Sequence, residues 1–348
     1  MNEDKLMAFV GKAVTDVGAV VNGSLVVIGD KLGLYTAMTA QGPMTSTELA
    51  ERTGCNERYL REWLSAQAAS GYLEYEGDDR FTLPDEHAIP LTDEKSPACV
   101  IGGFQLALAA VHSTERLTDA FRTGAGMGWG EHHQELFEGC ERFFGPSYRA
   151  FLTQNWIPAL DGIEAKLQQG ARIVDVGCGQ GASTRILAAA YPNSIVVGID
   201  PHAGSLDAAR KRAADEGLAD RVAFEVGTAQ NFEGRYDLVC LFDALHDMGD
   251  PAGACRHALS ALAPGGALMV VEPNAGDQVA DNLNPVGAAY YSLSTMLCTP
   301  NSLSQDVGTA LGAQAGEARL REVITGAGFS SVRRVAETPF NIVLEARP

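Results

Sequence analysis

Basic residues are scarce: 26 Lys and Arg stand against 44 Asp and Glu in 348 residues, a formal charge of −18. A deficit of that size repels polyanions, which argues against nucleic-acid and anionic-membrane partners. Paired cysteines are also missing. The seven Cys, at 55, 99, 140, 178, 240, 255 and 298, are odd in number, scattered singly and without a CxxC. That excludes a disulfide framework and fits a reducing compartment. Long uncharged runs are equally rare. The one candidate, Ser96 to Thr114, is interrupted by Gly102, Gly103, Gln105 and His112, so it reads as a buried helix and not a membrane span. The opening Met-Asn-Glu-Asp-Lys is acidic and lacks the apolar core of a targeting segment. No repeat or low-complexity tract is visible. What is present, 46% apolar and 20% charged residues, suits a cytoplasmic globular protein of two to three domains.

Three textures follow one another along the chain. Residues 1–95 read as a small helical domain. An apolar stripe of Leu6, Phe9, Val10, Ala13, Val14, Val17 and Val21 at helical spacing needs a partner surface. Thr45 followed by Glu48 is a capping-box start for a helix ending at Gly54. A second helix, Glu57 to Ser70, carries Leu60, Trp63 and Leu64 on one face. Two hairpin strands, Tyr72–Tyr75 and Arg80–Leu83, flank a Gly77-Asp-Asp turn. Helix, turn, helix, hairpin is the winged-helix order. Residues 96–160 read as helices with Gly-rich breaks, forming a linker and pocket region. From 161 to 348 strands alternate with helices: Ile173–Val176, Ser194–Ile199, Val222–Val226, Asp237–Leu241 and Ala267–Val271. The spacing predicts an α/β fold, a Rossmann-like doubly wound sheet.

The strongest motif is Asp175-Val-Gly177-Cys-Gly179-Gln-Gly181, between a predicted strand and a predicted helix. Glycines there let a ligand approach the backbone and aim helix N-terminal NH groups at it. Asp200 closes the next strand, where a carboxylate accepts ribose hydroxyls. A dinucleotide loop has G-x-G-x-x-G spacing; this one is G-x-G-x-G, preceded by an acid that repels pyrophosphate and suits an ammonium. The pattern favours S-adenosylmethionine over a nicotinamide dinucleotide, with an oxidoreductase kept as the rival.

With these motifs, residues from about 165 to 346 resemble the class I S-adenosylmethionine-dependent methyltransferases. The resemblance implies that Asp175, Gly177, Gly179 and Gly181 hold the methionine part, and Asp200 with Pro201 the ribose. Thr228 and Ala229 would take the adenine, departing from the family's usual Asp-Ala or Asp-Phe, while Phe242 and Asp243 would close over the cofactor. Leu262–Leu268 is similar to the family's turn before a strand, and Ala327-Gly-Phe329 to its signature before a final β-hairpin. Together with the winged helix, the layout resembles the dimeric small-molecule O-methyltransferases of the caffeate and anthracycline type, in an actinobacterial branch. In these the winged helix is a dimerisation module, so a homodimer is implied. The rival is a DNA-binding regulator that senses S-adenosylmethionine. Residues 1–95 hold eight Lys or Arg against sixteen Asp or Glu, and Glu57 and Glu62 flank Arg58 and Arg61, so phosphate contacts are not expected.

Catalysis centres on Asp243-Ala-Leu-His246-Asp247-Met248. It matches the family's His-Asp-Trp triplet with Met in place of Trp, which makes His246 the implied general base. An imidazole titrating near neutrality can take a hydroxyl proton as the methyl arrives. Glu272 matches a family Glu that orients the histidine; a second such Glu has no clear counterpart, although Glu317 lies nearby. Asp247 serves the site or caps the following helix. Tyr148, Trp156, Tyr290, Tyr291 and Met296 form a candidate apolar and aromatic wall for a small-molecule substrate. O-, C- and N-methylation are not separated by these residues. His132-His133 with His246-Asp247 would be the raw material for an iron site, but adjacent histidines on a helix diverge by about 100°, and no metal is expected.

Overall fold

The computed structural model describes residues 1–348, which form two compact units, Met1–Leu108 and Ala109–Pro348. In the first, α1 (Glu3–Lys31) begins under an Asn2 cap and buries only Asn22, Gly23, Val26 and Gly29. Its first two thirds expose Leu6, Phe9, Val10, Val14, Val17 and Val21. With a mean hydropathy of 1.3 over 18 residues, α1 is long and apolar enough to cross a membrane by length and composition alone. This corrects the expectation that only Ser96–Thr114 need be considered. Lys12 and Asp16 break the uncharged run, yet they lie one turn apart and pair with each other.

Next come α2 (Leu34–Met38), α3 (Ser46–Thr53) and α4 (Glu57–Ala69). The Thr45–Glu48 capping box forms as the spacing requires, and Gly54 ends α3 in the left-handed conformation. Leu60, Trp63 and Leu64 of α4 are buried with Leu34, Tyr35, Met38 and Leu49. A polar chain runs through this core: Tyr35 donates to Gln67 at 2.7 Å, and Gln67 donates to Asn22 at 2.7 Å. The hairpin β1 (Glu74–Gly77) and β2 (Arg80–Thr82) completes the winged-helix order. On α4, Arg58 pairs with Glu62 and Arg61 with Glu57, so both arginines are neutralised on their own helix.

The second unit is built on a seven-stranded sheet. Its strands are β3 (Arg172–Val176), β4 (Ile195–Asp200), β5 (Val222–Val226), β6 (Tyr236–Phe242), β7 (Leu262–Pro273), β8 (Ser331–Glu337) and β9 (Asn341–Arg347). The order is β5-β4-β3-β6-β7-β9-β8, parallel except for β9, which runs antiparallel to both its neighbours. This is the doubly wound fold expected. Ile173, Val174, Leu238, Val239, Leu268 and Val270 are fully buried because helices cover both faces. The expected turn at Leu262–Leu268 is an excursion within β7: pairing jumps from Tyr236–Leu262 to Leu238–Ala267, with Gly265 at φ +70°. Chain direction across the sheet reverses beside β3, and the C-terminal ends of β3, β4 and β6 border the crevice that forms at such a point.

Candidate active site

The loop after β3 carries three glycines at φ +78°, +53° and +79°, a region closed to most side chains. They serve different ends. A Cβ on Gly181 would stand 2.8 Å from the Phe224 ring, so that residue lets the loop seat on the sheet. A Cβ on Gly179 would meet nothing within 4 Å, so the loop is open to a ligand there. The NH groups of Gly177 and Cys178 donate to Ile199 O, and Gly179 N donates to Asp200 Oδ2 at 2.8 Å. The other oxygen of Asp200 accepts from His202 N at 2.8 Å. Burial raises the Asp200 pKa, and these two bonds oppose it.

Asp175 lies beneath the loop. Its Oδ2 accepts from Ser183 Oγ and Thr184 Oγ1, each at 2.6 Å, while Oδ1 is buried without a partner. Burial pushes its pKa up to about 6. The carboxylate thus ties β3 to the first turn of the helix Ala182–Ala190 from behind.

At the end of β6 the chain turns through Asp243, a non-glycine residue at φ +48°. Its NH donates to Val271 O at 2.8 Å, which holds the turn against the next strand. Its carboxylate accepts from the Tyr148 hydroxyl and from Asn341 Nδ2, both at 2.8 Å. Burial, followed by the charge of Glu272, pushes its pKa up to about 7. The turn Leu245–Asp247 is organised by Glu272. Oε1 of that residue accepts from Leu245 N and His246 N, and Oε2 lies 2.5 Å from His246 Nδ1. Burial opposes protonation of His246, but the Glu272 carboxylate, helped by Cys298, holds its pKa well above the usual imidazole range.

These loops surround a cleft of about 460 Å³. Gly177, Gly179, Asp200, Pro201, Thr228, Ala229, Phe242, Asp243, Asp247 and Tyr148 line it. Asp175, Gly181, His246 and Glu272 lie outside its wall. Trp156, 1% exposed, is a core residue packed with Tyr148, Leu152 and Ile157, which corrects its place in the apolar wall. Tyr290, Tyr291 and Met296 are not in the wall either, because their helix presents only its continuation, at Asn301, Ser304 and Gln305, to the cleft. Tyr290 is buried with its hydroxyl unpartnered, within the electrostatic reach of Asp243. Glu317 pairs with Arg321 and Arg334. Asp250, not Asp247, caps the next helix. His132 and His133 sit in irregular chain: the first bonds Ser113 and the second stacks on His112. Sequence reasoning missed Trp129, Phe137, Cys140 and Asn341. Trp129 and Phe137 carry only the faint signal of aromatic spacing beside a Gly-rich region, and Cys140 and Asn341, the latter 98 residues from Asp243, carry none.

The family described as Methyltransferase domain matches residues 167–324, and the Rv2258c-like winged HTH domain matches residues 21–93. The chain joins a winged helix-turn-helix domain to a methyltransferase domain. A mitomycin biosynthesis 6-O-methyltransferase of Streptomyces lavendulae is 28% identical over 245 residues, 67% of this chain and 68% of its own length. A trans-aconitate 2-methyltransferase of Methylobacterium nodulans is 35% identical over 130 residues, 36% of this chain and 48% of that protein. The chain spans only about a quarter to a half of the first curated relatives it matches. Two solved structures share the fold across nearly the whole chain. Mitomycin 7-O-methyltransferase has a TM-score of 0.69 at 23% identity, covering 99% of this chain and 100% of its own. Human N-acetylserotonin methyltransferase, in complex with S-adenosylmethionine, has 0.68 at 17%, covering 97% of each.

Proposed function

We propose that this protein is an S-adenosylmethionine-dependent methyltransferase that methylates a hydroxyl on an apolar or aromatic small molecule. The observation that carries it is the loop–acid pair: an open Gly179 bonded to Asp200, at the mouth of a cleft on the carboxyl edge of the methyltransferase domain. The relatives named above as 6-O- and 7-O-methyltransferases support the acceptor class.

The residues fit the cofactor. Gly177 and Gly179 present backbone to its methionine end, with Asp175 and Gly181 holding the loop in shape from behind. Asp200 and Pro201 take the ribose, Thr228 and Ala229 the adenine, and Phe242 and Asp243 close the wall. Bound S-adenosylmethionine supplies an electrophilic methyl group on a sulfonium. Proximity does much of the rest, since a held hydroxyl attacks in line. His246, oriented by Glu272 through Nδ1 and with Cys298 beside it, takes the hydroxyl proton in its neutral form, which is populated as pH rises above the usual imidazole range. Asp247 places a second carboxylate in the cleft beside it. Of residues 96–160, the second half serves the pocket, with Trp129, Phe144 and Tyr148 in the wall.

The exposed stripe of α1 supports a homodimer, because an apolar face of that length is stabilised by a second copy. Seven free cysteines support a cytoplasmic setting. The self-paired arginines of α4 support the absence of a nucleic-acid partner.

Calorimetric titration with S-adenosylhomocysteine tests the reading. Micromolar binding by the wild type, abolished in Asp200→Ala, is expected; absence of binding by the wild type would overturn it.

A further inference from the structure

After the helix Thr114–Thr123 the chain runs Gly124-Ala-Gly126-Met-Gly128 as an irregular strap that leads into Trp129. Gly126 lets the strap lie directly on the backbone of Ser304, where a side chain at 126 would collide. Two hydrogen bonds fix it there. Met127 N donates to Pro300 O at 2.9 Å, and Trp129 N donates to Asn301 Oδ1 at 3.0 Å. Asn301 in turn donates from Nδ2 to Asp247 O at 3.2 Å, so this anchor belongs to the turn after β6. The far end of the strap rests beside a different strand. Gly130 lies against the His202 ring, since a Cβ there would stand 3.2 Å from Cδ2. His202 N is itself bonded to Asp200 at the end of β4.

In the sheet, β3 lies between β4 and β6. A strap anchored beside the turns after those two strands therefore crosses the glycine loop that follows β3. Gly128, Trp129 and Gly130 line the same cleft as Gly177, Gly179 and Asp200. Aromatic rings continue the strap toward β4. Phe137 stacks on His202 with ring centroids 4.3 Å apart, and Trp129 meets Phe137 edge-on at 6.2 Å. All three rings are only half-buried, although each lines the cleft, so π surface is left uncovered in the cavity that Pro201, Thr228 and Ala229 share. A purine offers such rings a flat face to stack on, whereas the charged amino-acid end of the cofactor does not. We propose that the strap Gly126–Gly130 is a cofactor-binding element, and that Trp129 with the Phe137–His202 pair covers the adenosine end of S-adenosylmethionine. This rests on the methyltransferase reading above. It adds to that site a wall supplied from before β3, outside the glycine loop and its acid.

Two probes test it by calorimetric titration of the full-length protein: S-adenosylhomocysteine, and 5′-methylthioadenosine, which keeps the adenosine end and lacks the amino-acid end. The wild type is expected to bind both. Trp129→Ala and Phe137→Ala, each at a half-buried ring, should weaken both probes by about tenfold or more, with helix content unchanged by circular dichroism. Trp129→Phe keeps a stacking face and should stay within about threefold of the wild type. Undiminished S-adenosylhomocysteine affinity in Trp129→Ala would overturn the proposal and leave the methyltransferase reading standing. So would a loss confined to S-adenosylhomocysteine, or a wild type that binds it but not 5′-methylthioadenosine, because the adenosine end would then not be what the rings cover. Failure of S-adenosylhomocysteine to bind the wild type would overturn both readings.

Discussion

His246 Nδ1 and Glu272 Oε2 lie 2.5 Å apart, joining the turn after β6 to the end of β7 across 26 residues of chain. The other oxygen of Glu272 accepts from the NH groups of Leu245 and His246, so one buried carboxylate sets both the backbone of the turn and the orientation of the ring. With its pKa raised by that partner, His246 is a stronger base that becomes available only as pH rises above the usual imidazole range.

Glu272→Gln is therefore expected to move the acidic limb of the kcat/KM profile to lower pH. It should also reduce the plateau by about 10- to 100-fold, because a weaker base takes the proton less readily. Steady-state rates from pH 6 to 10 check this. An unshifted limb would assign it to another group.

Asp247 has a carboxyl pushed up to about 7 by burial, opposed by His246, against an ordinary value of 3.8. The folded chain then binds this proton more tightly than the unfolded chain, so the contribution to stability is full below about pH 4, declines up to about pH 7 and is flat above. Asp247→Asn removes the titration. Its Tm minus that of the wild type should rise by a few degrees across pH 4–7 and then level off. A difference constant over that range would refute the assignment.

Two glycines in one loop should fail differently. Gly181→Ala places a Cβ at 2.8 Å from Phe224 on a φ of +79°, and a loss of about 2–4 kcal/mol is expected in urea unfolding. Gly179→Ala has a strained φ but open space, so about 1–2 kcal/mol is expected, together with a larger loss of S-adenosylhomocysteine affinity. Equal effects on both measurements would contradict the division of roles.

The α1 stripe should behave as an interface between copies. Phe9→Glu combined with Val17→Glu, both on exposed positions, is expected to convert a dimer to a monomer in sedimentation velocity without altering helix content by circular dichroism. A wild-type monomer would remove the stripe from that role.

The sequence by itself determined the local parts of this protein. The Thr45–Glu48 box, the Gly54 stop, the buried strands and the loop from Asp175 to Gly181 could all be read because each depends on residues within a few positions of one another. The pairing of His246 with Glu272 was reachable only through family resemblance. What the tertiary structure alone decided is which side chains share one cavity. Asp243 meets Tyr148 and Asn341 from 95 and 98 residues away, Trp156 turns into the core, and Tyr291 and Met296 stay out of the cleft. Periodicity fixes the face of an element that carries a residue, but the neighbour it meets depends on how strands order in the sheet and how helices pack over it, and no spacing along the chain encodes that.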